Sequence, residues 1–132
     1  MTFTISRRFS FSAAHHLDGL ADGHKCARVH GHSYAVEIRL TSTRLDDTGF
    51  VADFGELDCF KGYLDAELDH RDLNEVLPIQ PSCENIARLL YGWCRDNLDQ
   101  GHLVTAVRVS ESALTWAEYT PPVPPAGTRC DG

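Results

Sequence analysis

The chain has 132 residues, 12 basic and 19 acidic side chains, and a formal net charge of -7. A chain of this length forms one domain around one core. The negative charge argues against nucleic acid as a partner, because phosphate backbones attract basic surfaces. No apolar run approaches the ~20 residues that span a bilayer, and the N-terminus lacks a signal-peptide pattern, so we expect a cytoplasmic protein with no membrane partner.

The cysteines are odd in number and show no paired spacing: Cys26, Cys59, Cys83, Cys94 and Cys130. A disulfide framework uses an even number at regular spacings. The pattern therefore predicts reduced thiols, which are typical of the cytoplasm.

The N-terminal segment alternates between apolar and polar residues from Thr2 to Ser12. Alternation with a period of two predicts a half-buried strand, and the same parity puts His15 on its apolar face. Residues 17–29 are rich in Gly, Asp and His and are predicted to form a loop that carries Cys26. Alternation returns from His32 to Thr41, so the second strand begins at a histidine.

Two helices follow. Asp53 and Glu56 resemble a capping box, and apolar residues at helical spacing then predict a helix from about Gly55 to Leu68. Ser82 is the predicted N-cap of a second helix, which ends near residues 97–101.

The C-terminal part alternates again over residues 103–110, and residues 114–119 are predicted to return as a hairpin partner. The element order ββααββ predicts an α+β domain over residues 1–120, with a four-stranded antiparallel sheet and two helices on one face. Residues 121–132 begin with a proline-rich run that lacks backbone donors, and we expect them to form a disordered tail.

A candidate metal site centres on His30-Gly31-His32. Side chains two residues apart on a strand point to the same face, so both imidazoles can reach one ion, and the strand that ends at His15 can add a third. Three histidines with one open position are typical of catalytic zinc. Cys26 is either a fourth ligand or a thiolate that acts beside the metal.

Five segments together carry a family resemblance: 11–15, 26–33, 49–57, 68–74 and 81–85. They resemble the 6-pyruvoyl-tetrahydropterin synthase superfamily from about Phe3 to Tyr119. The three residues between Cys26 and His30 make the chain most similar to the bacterial branch, the 6-carboxy-tetrahydropterin synthases of deazapurine (queuosine-type) pathways.

The resemblance implies the tunnelling fold, in which three sheets join edge to edge into a barrel and two such rings stack as a hexamer, a dimer of trimers. It also implies a zinc-dependent lyase. The expected reaction converts 7,8-dihydroneopterin triphosphate to 6-carboxy-5,6,7,8-tetrahydropterin, with loss of acetaldehyde and triphosphate.

By the same match, Cys26 is the general base, His70 with Asp69 is a proton relay, and Glu111 anchors the pterin ring. Charge and adjacency alone make Lys25 and Arg28 candidates for steering the triphosphate, and plain surface solvation is the alternative.

Two other functions remain open. One is 6-pyruvoyl-tetrahydropterin synthase, whose animal members have a longer gap between the cysteine and His-Gly-His. The other is a non-catalytic zinc module, in which Cys26 joins the three histidines and closes a four-ligand site.

Overall fold

The computed structural model describes residues 1–122, which form an α+β fold with one five-stranded sheet. The strands are β1 (Phe3–His15), β2 (His30–Ser42), β3 (Arg71–Asp72), β4 (Val104–Ser112) and β5 (Thr115–Tyr119), and the α-helices are α1 (Asp58–Tyr63), α2 (Leu73–Val76) and α3 (Cys83–Asn97). The strand order is β3-β1-β2-β4-β5. Most of the predicted tail, residues 123–132, lies outside the described residues.

A long antiparallel ladder between β1 and β2 carries the middle of the sheet. It runs from the pair Phe3↔Ser42 to the pair His15↔His30. The predicted alternation is confirmed: Phe9 and Phe11 of β1 and the even-numbered residues of β2 from Tyr34 to Leu40 are buried. The ladder therefore ends with two histidines opposite each other.

The prediction of four antiparallel strands was wrong in one respect. β3, the fifth strand, pairs in parallel with β1 through Ala13↔Arg71 and Ala14↔Asp72. A two-residue strand shows no periodicity, and it forms only because β1 offers a free edge beside it. The short helix α2 directly after β3 was also not predicted, so the order ββααββ is incomplete.

The first predicted helix exists over nearly the predicted residues, but it is irregular. A 3-10 turn at Phe54–Leu57 leads into α1, and a π-helical turn at Leu64–Leu68 ends it. Asp53 caps the start by accepting the backbone N–H of Gly55, and Ser82 caps α3 by accepting that of Asn85. Both predicted capping residues are thus confirmed.

The helices bury one face of the sheet. α3 packs on β4 and β5, and the segment from α1 to Leu68 packs against β1. Fully buried members of this core include Phe60, Leu64, Ile86, Leu90 and Val109. Each such side chain contributes about 1.5–3 kcal/mol by leaving water.

The cysteines within residues 1–122, namely Cys26, Cys59, Cys83 and Cys94, are free thiols. Cys94 lies in the core, where burial raises its pKa to about 12, whereas Cys59 is exposed. Across residues 1–122, the helices are too short or too polar to cross a membrane.

Candidate metal centre and active site

Three histidines meet where the β1–β2 ladder ends. His15 is the last residue of β1, His30 is the first of β2, and His32 follows on the same face of β2. Their potential ligand atoms all lie within 4.8 Å of one another. His15 is only 1% exposed, so the sheet and the helices hold its ring in place.

Backbone carbonyls select the tautomers of two of these rings. His15 Nδ1 lies 2.7 Å from the Pro81 carbonyl oxygen, and His30 Nδ1 lies 2.6 Å from that of Arg28. Because a carbonyl only accepts, each Nδ1 carries a proton and donates it, so that in the neutral ring the lone pair lies on Nε2. These two Nε2 atoms are 3.0 Å apart, so two lone pairs face each other where a cation would attract both.

The third ring, His32, presents a buried nitrogen to the same point. Its Nε2 has no hydrogen-bond partner within residues 1–122, although Glu111 Oε2 lies 3.2 Å away. Burial lowers the pKa of His32; Glu111 opposes this change, and His15 and His30 add to it. An orphaned, neutral imidazole nitrogen is what a metal ligand requires, so the three residues fit a divalent cation.

Glu111, near the end of β4, faces the histidines from the neighbouring strand. Its Oε2 approaches His32, and its Oε1 accepts a hydrogen bond from the Cys83 thiol at 3.1 Å. Burial, and then this contact with Glu111, raise the pKa of Cys83 far above its usual range, so the thiol stays protonated and donates. Glu111 therefore presents a fixed carboxylate beside the three histidines.

Cys26 lies in a 3-10 turn, Lys25–Ala27, within the predicted loop. It lines a cavity of about 470 Å³ together with Lys25, Arg28 and His30. Within residues 1–122, the one convergent group of three or more possible ligands consists of the three histidines, and Cys26 is outside it. This arrangement favours a thiol beside the metal over a fourth ligand.

Asp69 and His70 form a pair beside the outer edge of β1. Asp69 Oδ2 lies 2.8 Å from His70 Nδ1, while Asp69 Oδ1 accepts the Ser12 N–H at 2.8 Å. These bonds lower the pKa of Asp69, the one from Ser12 having the larger effect. His70 has a left-handed backbone with φ of 61° and an 83% exposed side chain. Such strain in a non-glycine residue is concentrated at functional sites.

Besides Glu111, the predicted residues fall into two groups, each of which shares one of the three histidines. Cys26, Lys25 and Arg28 share a cavity with His30, whereas His70 lines a depression with His32. Sequence reasoning missed Tyr34, whose hydroxyl lies 3.1 Å from His15 Nδ1, and the role of Cys83. Cys83 belongs to a segment that carries the family resemblance, which was the only available signal.

Comparison with known proteins identifies the family. The model of the family described as 6-pyruvoyl tetrahydropterin synthase matches residues 4–122. A curated relative from Synechocystis sp., named 6-carboxy-5,6,7,8-tetrahydropterin synthase, is 36% identical over 129 residues and covers 89% of this chain and 93% of its own. A Bacillus subtilis protein of the same name is 29% identical over 130 residues and covers 91% and 86%.

The fold comparison agrees. The solved structure of Caenorhabditis elegans 6-pyruvoyl tetrahydropterin synthase matches with a TM-score of 0.82 at 25% identity, over 92% of this chain and 97% of that one. The predicted family resemblance is confirmed over almost the whole described chain. The chain belongs to the 6-pyruvoyl tetrahydropterin synthase family, a family of enzymes.

Proposed function

We propose that this protein is a zinc-dependent lyase that converts 7,8-dihydroneopterin triphosphate and water to 6-carboxy-5,6,7,8-tetrahydropterin, acetaldehyde and triphosphate, in a queuosine-type deazapurine pathway. One observation carries the proposal: two histidine Nε2 lone pairs face each other and a third buried Nε2 is orphaned beside them. The name shared by the two relatives supports the choice of product.

Zinc is the proposed ion because three neutral imidazoles with an open position match its catalytic sites. When bound, it would act as a Lewis acid that polarises the side-chain hydroxyls of the substrate. His15, His30 and His32 are the proposed ligands. The outer hydrogen bonds of His15 and His30 would orient both rings toward the ion.

Cys26 is the proposed general base, which removes a proton from the substrate side chain. Its place in the cavity that contains His30 supports this role. His70, paired with Asp69, is the proposed relay for that proton, because a carboxylate at 2.8 Å orients the imidazole.

Glu111 is the proposed anchor of the pterin ring, since a carboxylate accepts two parallel hydrogen bonds from the 2-amino and N3 groups. Its position beside His32 would set the ring next to the metal. Lys25 and Arg28 are the proposed contacts for the triphosphate, and the cavity that they share with Cys26 supports this role.

We also propose a hexamer, a dimer of trimers with the tunnelling arrangement, in the cytoplasm. The sheet supports it by ending in two strands, β3 and β5, that pair on one side only within residues 1–122. Free edges favour pairing with other copies. The exposed side chain of His70 is compatible with an active site completed by a neighbouring copy.

A second candidate is 6-pyruvoyl-tetrahydropterin synthase activity, which the name of the C. elegans neighbour favours. Incubation of the zinc-loaded protein with 7,8-dihydroneopterin triphosphate, followed by mass spectrometry, separates the two. We expect the 6-carboxy product and acetaldehyde. A 6-pyruvoyl product would establish the alternative, and unchanged substrate in the presence of bound zinc would contradict both.

A further inference from the structure

Two side-chain amides bind the backbone just beyond β1. Asn74 Oδ1 accepts the His16 N–H at 2.8 Å, and Asn74 Nδ2 donates to the His16 carbonyl at 3.0 Å. Gln80 repeats the pattern two residues later: its Oε1 accepts the Asp18 N–H at 2.9 Å, and its Nε2 donates to the Asp18 carbonyl at 3.2 Å. We call these two side chains the amide clamp.

The amide clamp replaces a missing strand. On the outer edge the pairing of β1 with β3 stops at Ala14↔Asp72, and on the inner edge the ladder with β2 stops at His15↔His30, so the backbone groups of residues 16–18 have no strand partners on either edge. In an extended chain the N–H and C=O groups of residues i and i+2 point to the same edge. The amide clamp satisfies both pairs of groups on that edge.

The opposite edge of this extension holds the loop that carries Cys26. The Leu17 N–H, between the two clamped residues, donates to the Cys26 carbonyl at 2.8 Å. Cys26 therefore reaches the end of β1 through one backbone hydrogen bond, whose donor is kept in place by the amide clamp.

Other elements fix the amide clamp itself. Asn74 lies in the first turn of α2, where its N–H donates to the capping carboxylate of Asp72 at 3.0 Å. The Gln80 carbonyl accepts the side-chain amide of Asn85, in α3, at 3.0 Å. Both amides are thus held by helices that pack on the sheet.

We propose that Asn74 and Gln80 are positioning residues: they extend β1 to residue 18 and so hold Cys26 at the metal site. The link to catalysis rests on the proposed function of Cys26, whereas the link between clamp and loop does not. Metal binding depends on the amide clamp less than the placement of Cys26 does, because Pro81 and Tyr34 contact the His15 ring directly.

Amide hydrogen exchange at single-residue resolution tests the link to the loop. Gln80→Ala removes the hydrogen-bond acceptor of the Asp18 N–H. A purely local effect would therefore change hydrogen exchange at the Asp18 amide alone. We expect the exchange of the Leu17 amide to rise at least about 10-fold as well. Asn74→Ala should raise exchange at Leu17 as well. Gln80 is exposed, so Gln80→Ala still tests the link if Asn74→Ala does not fold.

The matched control is Asn97→Ala, which removes an amide that donates to the Trp93 carbonyl at 2.9 Å in α3, outside the site. It should leave exchange at Leu17 unchanged. Wild-type exchange at Leu17 in a folded Gln80→Ala variant would overturn the proposal.

Kinetics test the link to catalysis separately. We expect kcat to fall about 10- to 100-fold in Gln80→Ala, with KM and zinc content close to wild type, because misplacing a reacting group by about 1 Å has such an effect. Raised exchange at Leu17 with a wild-type kcat would overturn the positioning role and count against Cys26 as the base. The structural link between the amide clamp and the loop would still be supported.

Discussion

A single acceptor, the Pro81 carbonyl, decides which nitrogen of His15 is available to a cation. A hydroxyl in its place would both donate and accept, and either tautomer would then be allowed. Only the tautomer with Nε2 unprotonated can donate to the carbonyl at 2.7 Å, whereas the Tyr34 hydroxyl, 3.1 Å from the same nitrogen, can accommodate either tautomer. The Arg28 carbonyl acts on His30 in the same way. The site is thus prepared for a metal by groups that carry no charge.

We predict that His15→Ala, His30→Ala and His32→Ala each lose most bound zinc. Loss of an outer hydrogen-bond partner alone costs about 10- to 100-fold in metal affinity, and loss of a ligand should exceed this. Competition with a chromophoric chelator measures the affinity.

The control for these variants is His102→Ala, because His102 is exposed and lies outside the histidine group. It should bind zinc as the wild type does. Full zinc content in either the His30 or the His32 variant would contradict the proposed site, and the lyase proposal with it.

Cys26→Ala separates a catalytic thiol from a structural ligand. If Cys26 is the general base, turnover should fall about 10²- to 10⁴-fold while zinc content and melting temperature stay near wild type. If it closed a four-ligand site, zinc and stability would be lost together. Cys59→Ala, at an exposed position in α1, is the matched control. Metal analysis and thermal denaturation on the same samples distinguish the two results.

At the scale of elements, the segment from Asp69 to Asn74 binds the outer edge of β1 along its last residues. Asp69 accepts the Ser12 N–H, and the His70 N–H donates to the Ser12 carbonyl. β3 then pairs with Ala13 and Ala14, and Asn74 continues with His16. The proposed relay residues therefore belong to the same segment that holds the strand of His15.

Gly92, within α3, and Gly101, just after it, should change the stability of the protein in opposite directions when each is replaced by alanine. At Gly101 a Cβ would lie 2.5 Å from the Cys94 carbonyl oxygen and 2.7 Å from that of Arg95. We predict that Gly101→Ala destabilises the protein by about 1–3 kcal/mol, because backbone atoms cannot yield as a flexible side chain would.

Gly92, within α3, has open space around the same position. Gly92→Ala should stabilise the protein by about 0.5–1 kcal/mol, since alanine loses less backbone entropy in a helix. Urea denaturation of both variants measures the free energies of unfolding. Equal stability of the two variants would contradict the close approach at Gly101.

At the scale of the whole molecule, the sheet has one covered face and one polar face. The polar face carries Arg39, Arg108 and Glu118, which form ion pairs, and Arg108 stacks on Trp116 at 3.7 Å. Surface ion pairs add little stability, about 0–1 kcal/mol each. They make this face polar, which agrees with the proposed barrel, where it would line the interior.

We predict that deletion of Pro121 to Gly132 leaves turnover and oligomeric state unchanged. Within residues 1–122 the last strand ends at Tyr119, and the histidines and Glu111 all lie before it. Steady-state kinetics and light scattering on the truncated protein test this. A large loss of activity, or dissociation of the oligomer, would show that the tail packs at a boundary between subunits.

The sequence by itself determined the four longer strands and the grouping of the three histidines at the end of two of them. Alternation over Thr2–Ser12 and His32–Thr41 is a local property of the chain, and it correctly put His15 and His32 on the buried face. Asp53 and Ser82 likewise act within three residues of their own positions, so their capping roles were predictable. The family resemblance rests on such local segments as well.

Only the tertiary structure decided the features that depend on partners distant in sequence. β3 needs the edge of β1, the Cys83 thiol needs a carboxylate 28 residues away, and Asn74 binds a backbone 58 residues before it. Such pairs leave no periodic signal in the sequence, because each forms only when two separate elements pack against each other. The tautomer of His15 belongs to this class too, since the Pro81 carbonyl lies 66 residues away, whereas the carbonyl that contacts His30 belongs to Arg28, a near neighbour in sequence.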